Sequence, residues 1–198
     1  MHKYNIILLL LIFYPIYLCA QQECDLIKED RIGTDTVIRE HIKGLSSISV
    51  YLKGDNETDN KCLMKVPRNM SVEEYEGKLD YYMDKYIQCK VDSLNEVFLS
   101  FFSQESLEKL LQSDSNHPLF LTFRITNNGE IYSVTAGIKK DVDKAINSGE
   151  YYKIQNLLKC NVLFIPPNAI GLTGCIRFTL PIKKNQIERE ISKMNKSR

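Results

Sequence analysis

The chain has 198 residues, 26 Lys and Arg against 25 Asp and Glu, 43% hydrophobic residues and no Trp. So even a balance offers no general attraction for nucleic acid or an anionic membrane, so neither is expected as a direct partner, and membrane contact is expected only through another protein. The apolar fraction suits a globular protein with a sizeable core, arranged as one ordinary domain or two small ones.

The N-terminus predicts export. Lys3 supplies a positive charge, Ile6–Leu18 is an almost unbroken apolar run, and Cys19-Ala20 precedes the polar Gln21-Gln22-Glu23, the plan of a signal peptide over residues 1–20. A helix over that run reaches roughly 20 Å, short of a hydrocarbon core of about 30 Å, and Pro15 weakens it further. Leu18 is too bulky for a lipoprotein cleavage site at Cys19. A mature chain from Gln21 loses Lys3 and is formally neutral. It keeps Cys24, Cys62, Cys89, Cys160 and Cys175, an odd set for an oxidising periplasmic or extracellular compartment.

Residues 21–105 read as one strand followed by helices. Asp25–Lys43 is polar with sparse apolar positions, whereas Ser46–Leu52 alternates, with Ile48, Val50 and Leu52 on one face. Gly54–Lys61 has the composition of a solvated loop. Asn56, Asn69 and Asn195 each open an Asn-x-Ser/Thr pattern. Ser71 and Glu74 have capping-box spacing, and Val72, Tyr75, Leu79, Tyr82 and Tyr86 form one helical stripe, read as a core face. Leu94, Val97, Phe98, Phe101 and Phe102 repeat the spacing, and Leu107, Leu110 and Leu111 make a third short apolar face.

No catalytic, cofactor-binding or metal-ligating set emerges. His41 lies in a charged stretch and His117 precedes Pro118. Neither belongs to a zinc or triad motif, no Cys-x-x-Cys occurs, and no Gly-rich phosphate loop is present. A hydrolase with dispersed carboxylates is the enzymatic alternative, because two such acids need no local spacing.

The last third has the most specific order. Leu119–Thr126 is strand-like, Asn127-Asn128-Gly129 suits a tight turn, and Glu130–Ile138 alternates again. Asp141–Cys160 reads as a helix, Pro166-Pro167 breaks it off, and Gly174–Ile182 closes as a strand ending near a proline. Spacing leaves the disulfide connectivity open. The bridge expected is Cys160–Cys175, from helix end to closing strand. Residues 184–198 read as a basic flexible tail.

Strand, Asn128-Gly129-Glu130-Ile131, helix end Ile154–Leu158, Phe164-Ile165-Pro166-Pro167, Gly171, Gly174 and Leu180-Pro181-Ile182 occur in that order. The arrangement over about residues 106–183 resembles the C-terminal domain of TonB-type proteins of the Gram-negative envelope. Phe164 stands near the place of that family's usual tryptophan, and no Pro-rich spacer is present. The resemblance implies an α+β fold, a small antiparallel sheet with helices packed on one face, preceded by a helical segment. It also implies a protein or peptide partner, bound by strand addition at Cys175, Ile176, Arg177, Phe178, Thr179 and Leu180. A self-associating envelope protein that makes a homo-oligomer through Ser71–Gln112 is the alternative.

Overall fold

The computed structural model describes residues 24–42, 44–55 and 66–196; the expected signal peptide lies outside them. Six strands form one antiparallel sheet, β1 Cys24–Ile32, β2 Asp35–Ile42, β3 Ser47–Leu52, β4 Leu119–Ile125, β5 Ile131–Lys139 and β6 Ile176–Ile182. Their order is β1-β2-β3-β5-β4-β6. The α-helices among the described residues are α1 Val72–Tyr82, α2 Val91–Leu99, α3 Gln104–Leu111, α4 Ser148–Asn161 and α5 Lys184–Lys196. The fold is α+β, with helices packed on the sheet.

Cross-strand register explains the core. Arg39, Val50, Ala136, Leu121 and Leu180 lie in one row across five strands, and Ile48, Ile138, Leu119 and Ile182 lie in the next. Residues directly opposite share a face, so strict alternation in β4 and β6 sends Leu119, Leu121, Phe123, Ile176, Phe178 and Leu180 inward together. Phe98 of α2 stacks on Phe123 at 4.7 Å, and Phe123 stacks on Phe178 at 5.1 Å. These aromatic contacts tie helix to sheet.

Several expectations need correction. The polar stretch with sparse apolar positions supplies two strands beyond the one expected: residues 24–42 form the β1–β2 hairpin around Gly33-Thr34, with Gly33 at φ 62°. Beside the buried Val37, its inward positions Asp30 and Arg39 are polar but partnered. Asp30 accepts from the Ser148 hydroxyl and pairs with Lys28 at 2.7 Å, and Arg39 donates to the carbonyls of Asp143, at 2.8 Å, and Ile146. Hydrophobic periodicity cannot register a strand whose core face is held by charge pairs and caps. Because β3 pairs with β5, the strands on either side of residue 105 share one sheet, so the expected boundary falls inside a continuous structure.

The helix expected over Asp141–Cys160 starts later. A single 3-10 turn, Lys140–Val142, comes first, and α4 begins at Ser148 with Asn147 accepting from the Glu150 amide at 2.9 Å. Asp141 instead accepts from the Ser113 hydroxyl and the Asp114 amide, which fixes it outside a helix. Lys184–Lys196 is also a helix and not part of a flexible extension. α5 buries Gln186, Ile187 and Glu190, and the Gln186 side chain caps its start by accepting from Lys183 N at 2.9 Å. On α1, Ser71 caps Glu74 N at 3.1 Å, but the Glu74 carboxylate goes to Lys78 rather than back to the cap. Tyr75 and Tyr82 are buried as the stripe requires, whereas Val72 and Val97 face solvent.

A candidate binding edge at β6

The chain reaches β6 through a loop fixed from three sides. Gly129, at φ 86°, closes the β4–β5 turn by donating to Thr126 O at 3.0 Å, and its carbonyl accepts from Phe164 N at 2.9 Å. A Cβ on Gly129 would press into the Phe164 carbonyl. Phe164 itself is buried edge-on to Phe178, with ring centroids 5.5 Å apart. The Tyr82 hydroxyl donates to Ile165 O at 2.7 Å and the Tyr75 hydroxyl to Thr173 O at 3.1 Å, so α1 holds both ends of the proline segment. Burial pushes the Tyr82 phenol up to about 12, which keeps it a donor at any ordinary pH. Gly171 and Gly174, both at positive φ, then turn the chain into β6.

β6 stands at the end of the sheet order and pairs with β4 rather than with β5. Sequence shows which residues alternate but not which neighbour a returning strand will choose. Pro181 lies opposite Phe120 in this ladder. A proline is tolerated in a ladder where its nitrogen faces away from the neighbouring strand. Arg177 and Thr179 share that parity, so their N–H groups also point to the open side. The Thr122 and Thr179 hydroxyls meet at 2.9 Å, as suits a non-hydrogen-bonded pair, in which side chains approach most closely.

Of the six candidate partner-binding residues, Ile176, Phe178 and Leu180 are buried in the core and Arg177 and Thr179 are exposed. Cys175 precedes the strand and is disulfide-bonded, whereas Cys160 is a free, exposed thiol. The expected Cys160–Cys175 bridge is therefore not formed: Cys160 ends α4 near Leu163, while Cys175 lies beyond the proline loop. What the edge offers a partner is main chain plus two outward side chains.

Arg124 was not singled out from sequence, yet it stands directly across from Arg177 on the outer face. It donates to Asp55 O at 2.8 Å. Burial raises the Asp55 carboxyl above its ordinary value, against the pull of Lys159, Gln155 and Arg124. The alternation of Leu119–Ile125 does place Arg124 outward, but its partner across the ladder comes only from the fold.

Elsewhere, a cavity of about 320 Å3 opens between Lys28, Arg39, Asp143, Lys144 and Ser148. Burial lowers the Arg39 guanidinium and Asp143 and Asp30 raise it. A second cleft, about 610 Å3, lies between the starts of α3 and α4. Its Glu105 pairs with Lys109 at 2.6 Å, and its Glu150 accepts from Ser103 N at 2.9 Å and from the Ser106 hydroxyl. Both carboxylates are thus spent on neighbours. His41 bonds Leu45 O, and His117 stacks on Phe120, on separate elements. Among the described residues no group of three or more His, Cys, Asp and Glu could hold a metal, and no helix is long and apolar enough to cross a membrane.

No family model matches the sequence, and no curated protein matches it. Among solved structures, the chain is similar to a DUF5043 family protein from Bacteroides uniformis at 13% identity and a TM-score of 0.48, over 79% of this chain and 84% of that one. A likeness of that degree carries no argument about what the chain does.

Proposed function

We propose that the chain is an exported, TonB-like binding module of the cell envelope that takes an extended partner peptide beside β6. The observation that carries this reading is the position of β6 at the end of the sheet order, next to β4 alone among the described residues. An edge strand presents unpaired N–H and C=O groups as a template for another strand. The opposite edge, β1, is less suited: it is interrupted between Leu26 and Lys28 and carries Lys28, Glu29, Asp30 and Arg31 in succession. The bonded state of Cys175 accords with an oxidising compartment.

The test uses a displayed library of seven-residue peptides, panned against the wild-type chain and Thr179→Pro. Removing one open-side N–H should leave the β4–β6 ladder and the melting temperature nearly unchanged. It should weaken enriched peptides about tenfold, as loss of roughly 1.4 kcal/mol of main-chain bonding would. Equal binding to both proteins, or no enrichment on either, would contradict strand addition. Exposed Val72, Tyr81 and Val97 on the helical segment favour self-association as the second reading. A mass that rises with concentration and falls again in Val97→Glu would support it.

A further inference from the structure

On the face turned away from the core, β5, β4 and β6 carry two polar rows in register. Thr135, Thr122 and Thr179 form one, and Ser133, Arg124 and Arg177 form the other. The second row sets two arginines directly opposite each other, an arrangement that is destabilising for like charges. Arg124 is turned toward Asp55, whose main-chain oxygen accepts from it. Arg177 is exposed, and among the described residues it has neither an ion pair nor a hydrogen bond. Among the described residues the row therefore ends on the exposed Arg177, and no strand stands at the position beyond it.

We propose that the β6 edge selects a partner strand carrying an acidic side chain opposite Arg177. This inference rests on strand addition at β6 and specifies the partner's chemistry. On an added strand, the residue across from Arg177 lies about 5 Å away on the outer face, within reach of the guanidinium. A carboxylate there pairs with Arg177 and relieves its repulsion from Arg124. The residues across from Ile176, Phe178 and Leu180 fall on the core side, where apolar side chains extend the buried rows. The residue across from Thr179 continues the hydroxyl row. The partner segment is thus apolar at alternate positions, acidic at one intervening position and hydroxyl-bearing or small at the next.

Three fluorescein-labelled peptides test this by polarisation: Val-Glu-Val-Thr-Val-Glu-Val, and the same sequence with Gln or Lys in place of both Glu. The acidic peptide should bind the wild-type chain about three- to tenfold more tightly than the Gln peptide, and the Lys peptide most weakly. Arg177→Glu, an exposed change, should invert the order. The difference should vanish in 1 M salt, where the screening length is about 3 Å. Equal affinity for the acidic and Gln peptides, or an acidic preference that survives in Arg177→Glu, would overturn the inference and leave strand addition standing. Failure of all three peptides to bind would overturn both.

Discussion

Asn95 on α2 is wholly buried, and neither its amide nitrogen nor its oxygen has a partner. Its helix neighbours do reach α5, Asp92 by accepting from Gln186 and Glu96 by pairing with Lys193. An unpaired buried amide costs about 1–3 kcal/mol, and an apolar group of similar size removes that cost. Asn95→Leu should accordingly raise stability by roughly 1–2 kcal/mol in a denaturant titration; a lower midpoint would show that the amide has a partner the fold requires. Asp55 gives a pH signature. Its folded pKa lies above the unfolded value, so the native state binds the extra proton between the two, and this group's contribution to stability falls as pH rises through that window. Asp55→Asn should stabilise the protein at neutral pH, with the gain shrinking as pH falls through the carboxylate range. A gain that grows on acidification would reverse the sign.

Each element depends on which of its faces is covered. Phe178→Ala removes a ring packed between Phe123 and Phe164 and should cost about 3–5 kcal/mol, whereas Thr179→Ala next to it should stay within about 0.5 kcal/mol. Comparable losses from both would mean that the strand's faces are assigned wrongly. Gly129→Ala should cost at least about 1 kcal/mol, since it forces a side chain into the left-handed region against the Phe164 carbonyl. The strands after residue 118 were legible because Leu119, Leu121 and Phe123, and later Ile176, Phe178 and Leu180, alternate without interruption. The β1–β2 hairpin was not, since Asp30 and Arg39 stand on its inward face and depend on Ser148 of α4, more than a hundred positions away. The helix over Lys184–Lys196 was masked by its charge, its buried stripe being only Gln186, Ile187 and Glu190.

At the scale of the molecule, one sheet runs from β1 to β6 and one apolar cluster joins β2, β3 and the C-terminal strands to the helices. Chemical unfolding should therefore be a single transition, with fluorescence and circular dichroism midpoints coinciding. Two separated transitions would restore the boundary at residue 105. α5 belongs to this unit, so Ile187→Ala should lower the common midpoint by about 2–5 kcal/mol rather than release a detached tail. The candidate edge was legible as a segment, Cys175–Leu180, because its strand pattern is plain. Its position beside β4 and the pairing of Arg124 with Arg177 were not, because the register that also sets Thr179 against Thr122, 57 positions earlier, comes from the packing of Phe98, Phe123 and Phe178 and not from local pattern.

The open side of β6 is the claim on which the functional account stands, and residue-resolved amide hydrogen exchange on the free protein measures it directly. Phe178 and Leu180, whose N–H groups face β4, should exchange at the slow rate of the β4 and β5 amides. Arg177 and Thr179, facing outward, should exchange orders of magnitude faster. Uniform slow exchange along Ile176–Ile182 would mean that the edge is already covered, and would contradict the account.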